Sequence, residues 1–175
     1  GDGISGRVSM TDDGRVGRFG WKAQVPSMAE FVRDAVGAEL GMTLPKQRDL
    51  TFGAVEDEDD VPDPEFDLLE AQALVFYLVS LAPPPRGENS DDRLVRQGEE
   101  LFESAGCASC HIPALEGPTG PVPLYSDLLL HEVLPAGARG IESGSANMRE
   151  FRTSPLWGIR DTAPYMHSGG ADTLE

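Results

Sequence analysis

The sequence predicts a mostly α protein with long irregular loops, built in two parts that divide near residue 85. Apolar residues recur at helical spacing in three segments, and no convincing strand pair is visible. The 175 residues include 20 glycines and 14 prolines, which leaves much of the chain to loop and turn. The first helix covers about residues 28–40. Ser27 can cap it, and Met28, Phe31, Val32, Ala35, Val36 and Leu40 share one face. Gly41 suits a left-handed C-terminal cap. The second helix lies near 65–81 and carries Phe66, Leu69, Ala73, Phe76, Tyr77 and Leu81. It stops before Pro83-Pro84-Pro85, which with Arg86-Gly87 is the best linker in the chain. The third helix starts from Ser90 or Asp91, with Leu94, Val95, Leu101 and Phe102 inward. Gly98 within that face costs up to about 1 kcal/mol against alanine, so a close helix approach is expected there. Beyond residue 112, Pro and Gly recur too often for long elements.

Charge narrows the function classes. With 14 basic and 30 acidic residues the formal charge is −16, which argues against nucleic acid or an anionic membrane as partner. Solubility and an acidic docking surface are the two readings of that charge. No apolar run approaches the ~20 residues of a membrane span. The chain starts at Gly1-Asp2-Gly3 with no basic-then-apolar leader, so either a leader was removed or the chain is a piece of a longer parent, and a piece is expected. Glu56-Asp57-Glu58-Asp59-Asp60, followed by Val61-Pro62-Asp63-Pro64, reads as a solvated loop. Asp2-Gly3-Ile4-Ser5-Gly6 has the look of the tail of a calcium loop, which makes Ca2+ a candidate ligand.

The chemistry follows the third helix, in Gly106-Cys107-Ala108-Ser109-Cys110-His111. Cys-x-x-Cys-His is the pattern of covalent haem attachment. Two thiols three apart on a short turn can each add to one vinyl group of the same porphyrin, and the next residue offers its imidazole to the iron. Cys107, Cys110 and His111 are therefore the haem c candidates, with His111 as iron ligand. Zinc would need further ligands at short spacing, and only His131 and His167 remain. A thioredoxin-like pair would want a preceding strand. For the sixth iron position, Met166 and His167 lie in Ala163-Pro164-Tyr165-Met166-His167-Ser168-Gly169-Gly170, a stiff loop, with Met148 and His131 as further candidates. A buried structural methionine is the other reading of Met166. His167 can instead serve as a polar group near the porphyrin edge.

Several strings together resemble a family. They are Gly98-x-x-Leu101-Phe102 with the cysteine motif, Leu124-Tyr125-Ser126-Asp127-Leu128-Leu129-Leu130-His131, Arg152-Thr153-Ser154-Pro155-Leu156-Trp157-Gly158, and Pro164-Tyr165-Met166-His167-Ser168-Gly169. Gly17-Arg18-Phe19-Gly20-Trp21-Lys22-Ala23 and Leu40-Gly41-Met42-Thr43 also fit. The set resembles the second haem domain of bacterial di-haem oxidoreductases, which are similar to di-haem cytochrome c peroxidases and to the enzyme that matures tryptophan tryptophylquinone.

That resemblance implies a cytochrome c-like haem domain over residues 86–175, truncated at its C-terminus. Residues 1–85 would be the rear of a first, cytochrome-like haem domain whose own Cys-x-x-Cys-His lies before Gly1. The implied function is electron entry into a peroxidase-like oxidoreductase, with a periplasmic or otherwise exported location. The expected partners are the upstream haem domain and a donor, either a protein or a small molecule. Trp21 matches a tryptophan that relatives place between the two haems, a candidate relay; a buried structural Trp is the alternative. The family pattern puts the sixth ligand in a helix past Glu175, and Ser168 stands where peroxidase relatives often have Asp. A non-catalytic electron-transfer cytochrome and a zinc-binding module are the other functional classes. An internal echo fits a two-domain origin: Phe19-Gly20-Trp21-Lys22-Ala23 before Ser27-Met28-Ala29-Glu30 parallels Tyr165-Met166-His167-Ser168-Gly169 before Thr173-Leu174-Glu175. Chance likeness of short loops is the competing explanation.

Overall fold

The computed structural model describes residues 6–87 and 92–174. The calcium-loop candidate, apart from Gly6, lies outside the described residues, as do Ser90 and Asp91. Three α-helices form: α1 (Met28–Leu40), α2 (Leu68–Ser80) and α3 (Arg93–Ser104). Strands β1 (Leu115–Gly117) and β2 (Gly120–Val122) pair antiparallel, and so do β3 (Leu130–Glu132) and β4 (Glu150–Arg152). Helix accounts for 27% and strand for 13% of the structure. The mostly α, cytochrome c-like expectation is therefore corrected to a mixed chain with small sheets. Each strand is three residues long, and the first pair contains Gly117, Gly120 and Pro121, so no alternating pattern was there to read.

The chain divides into two compact units. One comprises Val8–Leu81 and Arg139–Met148; the other comprises Ala82–Ala138 and Arg149–Glu175 with the residues up to Arg7. In the first unit α1 begins at Ser27, whose hydroxyl accepts from the Glu30 N–H at 3.2 Å. Gly41 ends it at φ +70, the left-handed cap that glycine adopts without Cβ strain. A capping box between Asp67 and Glu70 starts α2 three residues later than the apolar pattern suggests. The two helices meet over Val32, Val36, Leu44 and Ala71, with Met28, Met42, Phe66, Leu74, Val75 and Leu78 packed around them. The opposite face of α2 stays apolar and open: Leu69, Phe76, Tyr77 and Val79 are exposed.

A buried charge holds the start of α1. Glu30 is fully buried and accepts from Arg15 Nη1 and Nη2 at 2.8 and 2.9 Å, from the Ser27 hydroxyl at 2.8 Å and from the Thr51 N–H at 3.1 Å. Burial alone would raise its pKa, but these hydrogen bonds outweigh it and the carboxyl sits below its ordinary 4.5.

The second unit relies on its loops and β3–β4. Leu130 and Phe151 are buried on these strands, and Arg7 pairs with the buried Glu150 through two hydrogen bonds, one of 2.6 Å. Helix α3 contributes no buried residue, so the inward face expected for Leu94 and Leu101 is open, at 67% and 68% exposure. Asp92 caps it. Among the described residues no heavy atom outside the local helix backbone approaches within 4 Å of a Cβ built on Gly98, so no close helix approach accounts for that glycine.

The internal echo is geometric. Phe19 bridges Val25 and Tyr165 bridges Ala171, the same spacing in each. The turn inside closes alike, Ala23 N–H to Gly20 O and Gly169 N–H to Met166 O, both at 3.1 Å. Left-handed residues fall at matching positions: Gly20 and Ala23 in one loop, Met166 and Gly169 in the other. Trp21 and His167 are therefore equivalent.

Glu30→Gln keeps the volume and removes the charge. With Arg15 partly open to solvent, the expected loss is about 1–2 kcal/mol at pH 7, read from urea unfolding. The folded pKa is depressed, so this contribution is complete above the unfolded pKa and fades as pH falls through the folded one. The gap between wild type and variant should therefore begin to narrow as pH falls below the unfolded value of about 4.3 and close only beneath the folded one.

Candidate functional site around Cys107, Cys110 and His111

Helix α3 ends at Ser104, and Gly106 at φ +82 turns the chain into one short 3-10 turn, Cys107–Ser109. The turn is closed by Ser109 N–H to Gly106 O at 3.1 Å and His111 N–H to Cys107 O at 3.0 Å. It brings both thiols and the imidazole to one place. Cys107 is exposed and Cys110 half-buried, and neither forms a disulfide.

The segment Leu124–His131 wraps this turn. Tyr125 N–H donates to Pro113 O at 3.3 Å, and Asp127 N–H to Cys110 O at 2.9 Å. Tyr125 takes φ +54, a conformation that costs a non-glycine residue, and its carbonyl lies 2.8 Å from His111 Nδ1. A carbonyl only accepts, so Nδ1 carries the proton and Nε2 keeps its lone pair. Phe102 packs edge-on against both rings, at 6.4 Å from His111 and 5.9 Å from Tyr125. The frame beneath is fixed by Ser126, whose buried hydroxyl donates to Thr153 O at 2.7 Å and accepts from Leu128 N–H at 2.9 Å. Leu156 N–H reaches Leu124 O at 3.0 Å. The Arg152–Gly158 string thus supports the Leu124–His131 string.

His131 is engaged at both nitrogens, Nδ1 at 3.8 Å from Cys110 Sγ and Nε2 at 2.8 Å from Asp127 Oδ2. Neither nitrogen is left for an iron, which removes it from the sixth-ligand candidates. Met166 is 67% exposed, so the buried-methionine reading does not hold. His167 packs on Phe151 with centroids 4.8 Å apart. Tyr165, next to them, donates its hydroxyl to Ile159 O at 2.8 Å. Trp21 is 58% exposed on the turn of its own unit, and so is not a buried structural residue either. Met148 is exposed. Among the described residues, Asp57, Asp63 and Glu65 are the one group of His, Cys or acidic side chains whose ligand atoms converge, and it includes neither cysteine. The zinc reading gains no ligand set at Cys107 and Cys110.

Sequence reasoning passed over Tyr125 and Asp127. Tyr125 acts through its carbonyl, which leaves no trace in side-chain type. Asp127 had one signal, the four-residue spacing to His131.

The family described as "Di-haem oxidoreductase, putative peroxidase" matches residues 8–175. No curated protein matches the chain. A solved structure of Kuenenia stuttgartiensis hydrazine synthase, pressurised with 20 bar xenon, is similar at 27% identity and a TM-score of 0.43. The likeness covers 61% of this chain and 44% of that one. In the cysteine turn, the imidazole behind it and the match over residues 8–175, the chain belongs to the di-haem oxidoreductase family, whose chemistry is haem-based redox.

Proposed function

We propose that this chain carries one covalently bound c-type haem at Cys107 and Cys110, with His111 as iron ligand, and serves as the electron-entry part of a peroxidase-like parent. The observation that carries the reading is the His111 Nδ1–H bond to the Tyr125 carbonyl. It presents the unprotonated Nε2, the state a metal requires, and holds the ring at one angle. The same unit leaves large apolar side chains uncovered, as a bound porphyrin would require: Leu94 and Leu101 on α3 and Trp157 and Met166 in the loops are exposed. When bound, the haem supplies the one-electron redox step. The two cysteines fix its position, the Tyr125 carbonyl raises the basicity of His111, and Phe102 limits the swing of the imidazole.

Residues 86–175 are read as the second haem domain and 1–85 as the rear of the first, with the other haem, that of the first domain, held by an attachment motif elsewhere in the parent. The exposed apolar face of α2 supports that division. The matched loops support a shared task for Trp21, as relay between haems, and His167, as a polar group at the porphyrin edge. Electrons would come from a protein or small-molecule donor and pass to the upstream haem. Covalent attachment of this kind favours a periplasmic or otherwise exported location.

Protein from a host that matures c-type cytochromes should keep its haem through acid–organic extraction. Cys107→Ala combined with Cys110→Ala should release it, and wild-type protein without covalent haem in such a host would end the proposal. The full-length parent should turn over peroxide, and a variant lacking the upstream haem should not; turnover by neither would leave an electron-transfer cytochrome.

The sixth position has its own measurement. With the sixth ligand expected from another segment of the parent, Met166→Ala should leave the low-spin haem spectrum and potential of the parent nearly unchanged. A large loss of the low-spin signal would make Met166 the ligand. His167→Ala should slow electron transfer more than it reduces haem retention.

A further inference from the structure

The two cysteines of the attachment turn stand in different surroundings. Cys107 is exposed, and among the described residues no side chain hydrogen-bonds its sulfur. Cys110 is half-buried, with Sγ 3.8 Å from His131 Nδ1, within the reach of a sulfur donor. Behind the imidazole, Nε2 lies 2.8 Å from Asp127 Oδ2. The His131 and Asp127 side chains are only 10% and 7% exposed. A carboxylate accepts and does not donate, so the imidazole proton sits on Nε2 and the Nδ1 lone pair faces the thiol.

The arrangement is rigid. Asp127 Oδ1 accepts from Leu129 N–H at 2.9 Å, and the Asp127 N–H donates to the Cys110 carbonyl at 2.9 Å. One residue therefore holds both the base and the backbone of the cysteine. Gly6 packs against the ring so closely that a Cβ there would come within 2.6 Å of Nε2. The imidazole has no room to swing away.

We propose that His131, oriented by Asp127, is a catalytic base for attachment of Cys110 to a porphyrin vinyl group, and that Cys107 attaches without such help. This rests on the covalent-haem reading above. As the Cys110 sulfur bonds to the vinyl carbon next to the ring, its proton passes to His131 Nδ1. The imidazolium then returns that proton, directly or through water, to the outer vinyl carbon, so thiol and vinyl combine into one thioether and His131 is neutral again. Nothing is oxidised or reduced and nothing leaves. Asp127 stabilises the transient imidazolium and fixes its tautomer, the division of labour of acid–base triads.

Asp127→Asn is the sharp variant. The Leu129 N–H demands an oxygen, which turns the new NH2 toward Nε2 and forces the proton onto Nδ1, where it blocks acceptance from the thiol. The full chain, reduced and free of haem, is mixed anaerobically with ferrous haem. Thioether formed at each cysteine is then counted by peptide mass at early times. In Asp127→Asn and in His131→Ala, attachment at Cys110 should slow about tenfold or more while Cys107 keeps its rate. Equal slowing at both cysteines, or none, would overturn the proposal. A second measurement needs no haem: alkylation of Cys110 by N-ethylmaleimide should slow about tenfold in Asp127→Asn, with Cys107 unchanged. If that difference holds but wild type forms no thioether, His131 activates the Cys110 thiol without attaching haem and the proposed role in attachment is overturned, while the covalent-haem reading is judged separately by the protein from a maturing host. If wild type and variant alkylate alike, the base fails whatever the haem does.

Discussion

An imidazole can serve a metal only if one of its nitrogens gives up its proton, and here the 2.8 Å contact between His111 Nδ1 and the Tyr125 carbonyl decides which one. Much of the second unit is arranged to put that carbonyl in place. Tyr125 and Leu128 both adopt left-handed backbone angles, costly for side chains of their size. They persist because the surrounding hydrogen bonds leave no alternative: Tyr125 to Pro113, Asp127 to Cys110, Leu128 to Ser126 and Ser126 to Thr153. The strain sits where the cysteine turn is held.

The two units distribute their stability differently. In the first, a small apolar core between α1 and α2 is joined to a buried carboxylate with several donors, so helix packing and one ion pair act together. In the second, α3 contributes no fully buried residue, and order comes from polar contacts among loops and two short strand pairs. Phe102 turns onto His111 and Tyr125, but Leu94 and Leu101 on the same helix stay exposed, and such a helix gains little from folding by itself. A porphyrin or a further segment of the parent would cover those two leucines.

Much of this was legible in the residues. Helices α1 and α2 announced themselves through Ser27, Gly41 and the proline run, because caps and breakers act locally. The cysteine turn was equally plain, since its chemistry lies in contiguous residues. The strands were not legible: three residues with glycine and proline carry no period, and their pairing joins positions about twenty apart in β3 and β4. The start of α2 was misplaced because the Asp67–Glu70 box competes with the apolar pattern just before it. Tyr125 stayed hidden for a deeper reason, since every residue has a carbonyl and only the fold says which one is used. His131 drew notice as a stray histidine, yet its role depends on Asp127 and Cys110 reaching it together.

The matching geometry of the loops Phe19–Val25 and Tyr165–Ala171 bears on how such a chain can change. Each copy is closed by main-chain bonds between its first and last residues, so its shape makes little demand on the side chain carried third. That position is an interchangeable socket: it holds an indole in one half and an imidazole in the other. Evolution can trade the chemistry presented there, aromatic for basic, without rebuilding the loop beneath it. Two loops of one backbone shape can thus differ in electronic character by a single substitution while their scaffolds stay alike.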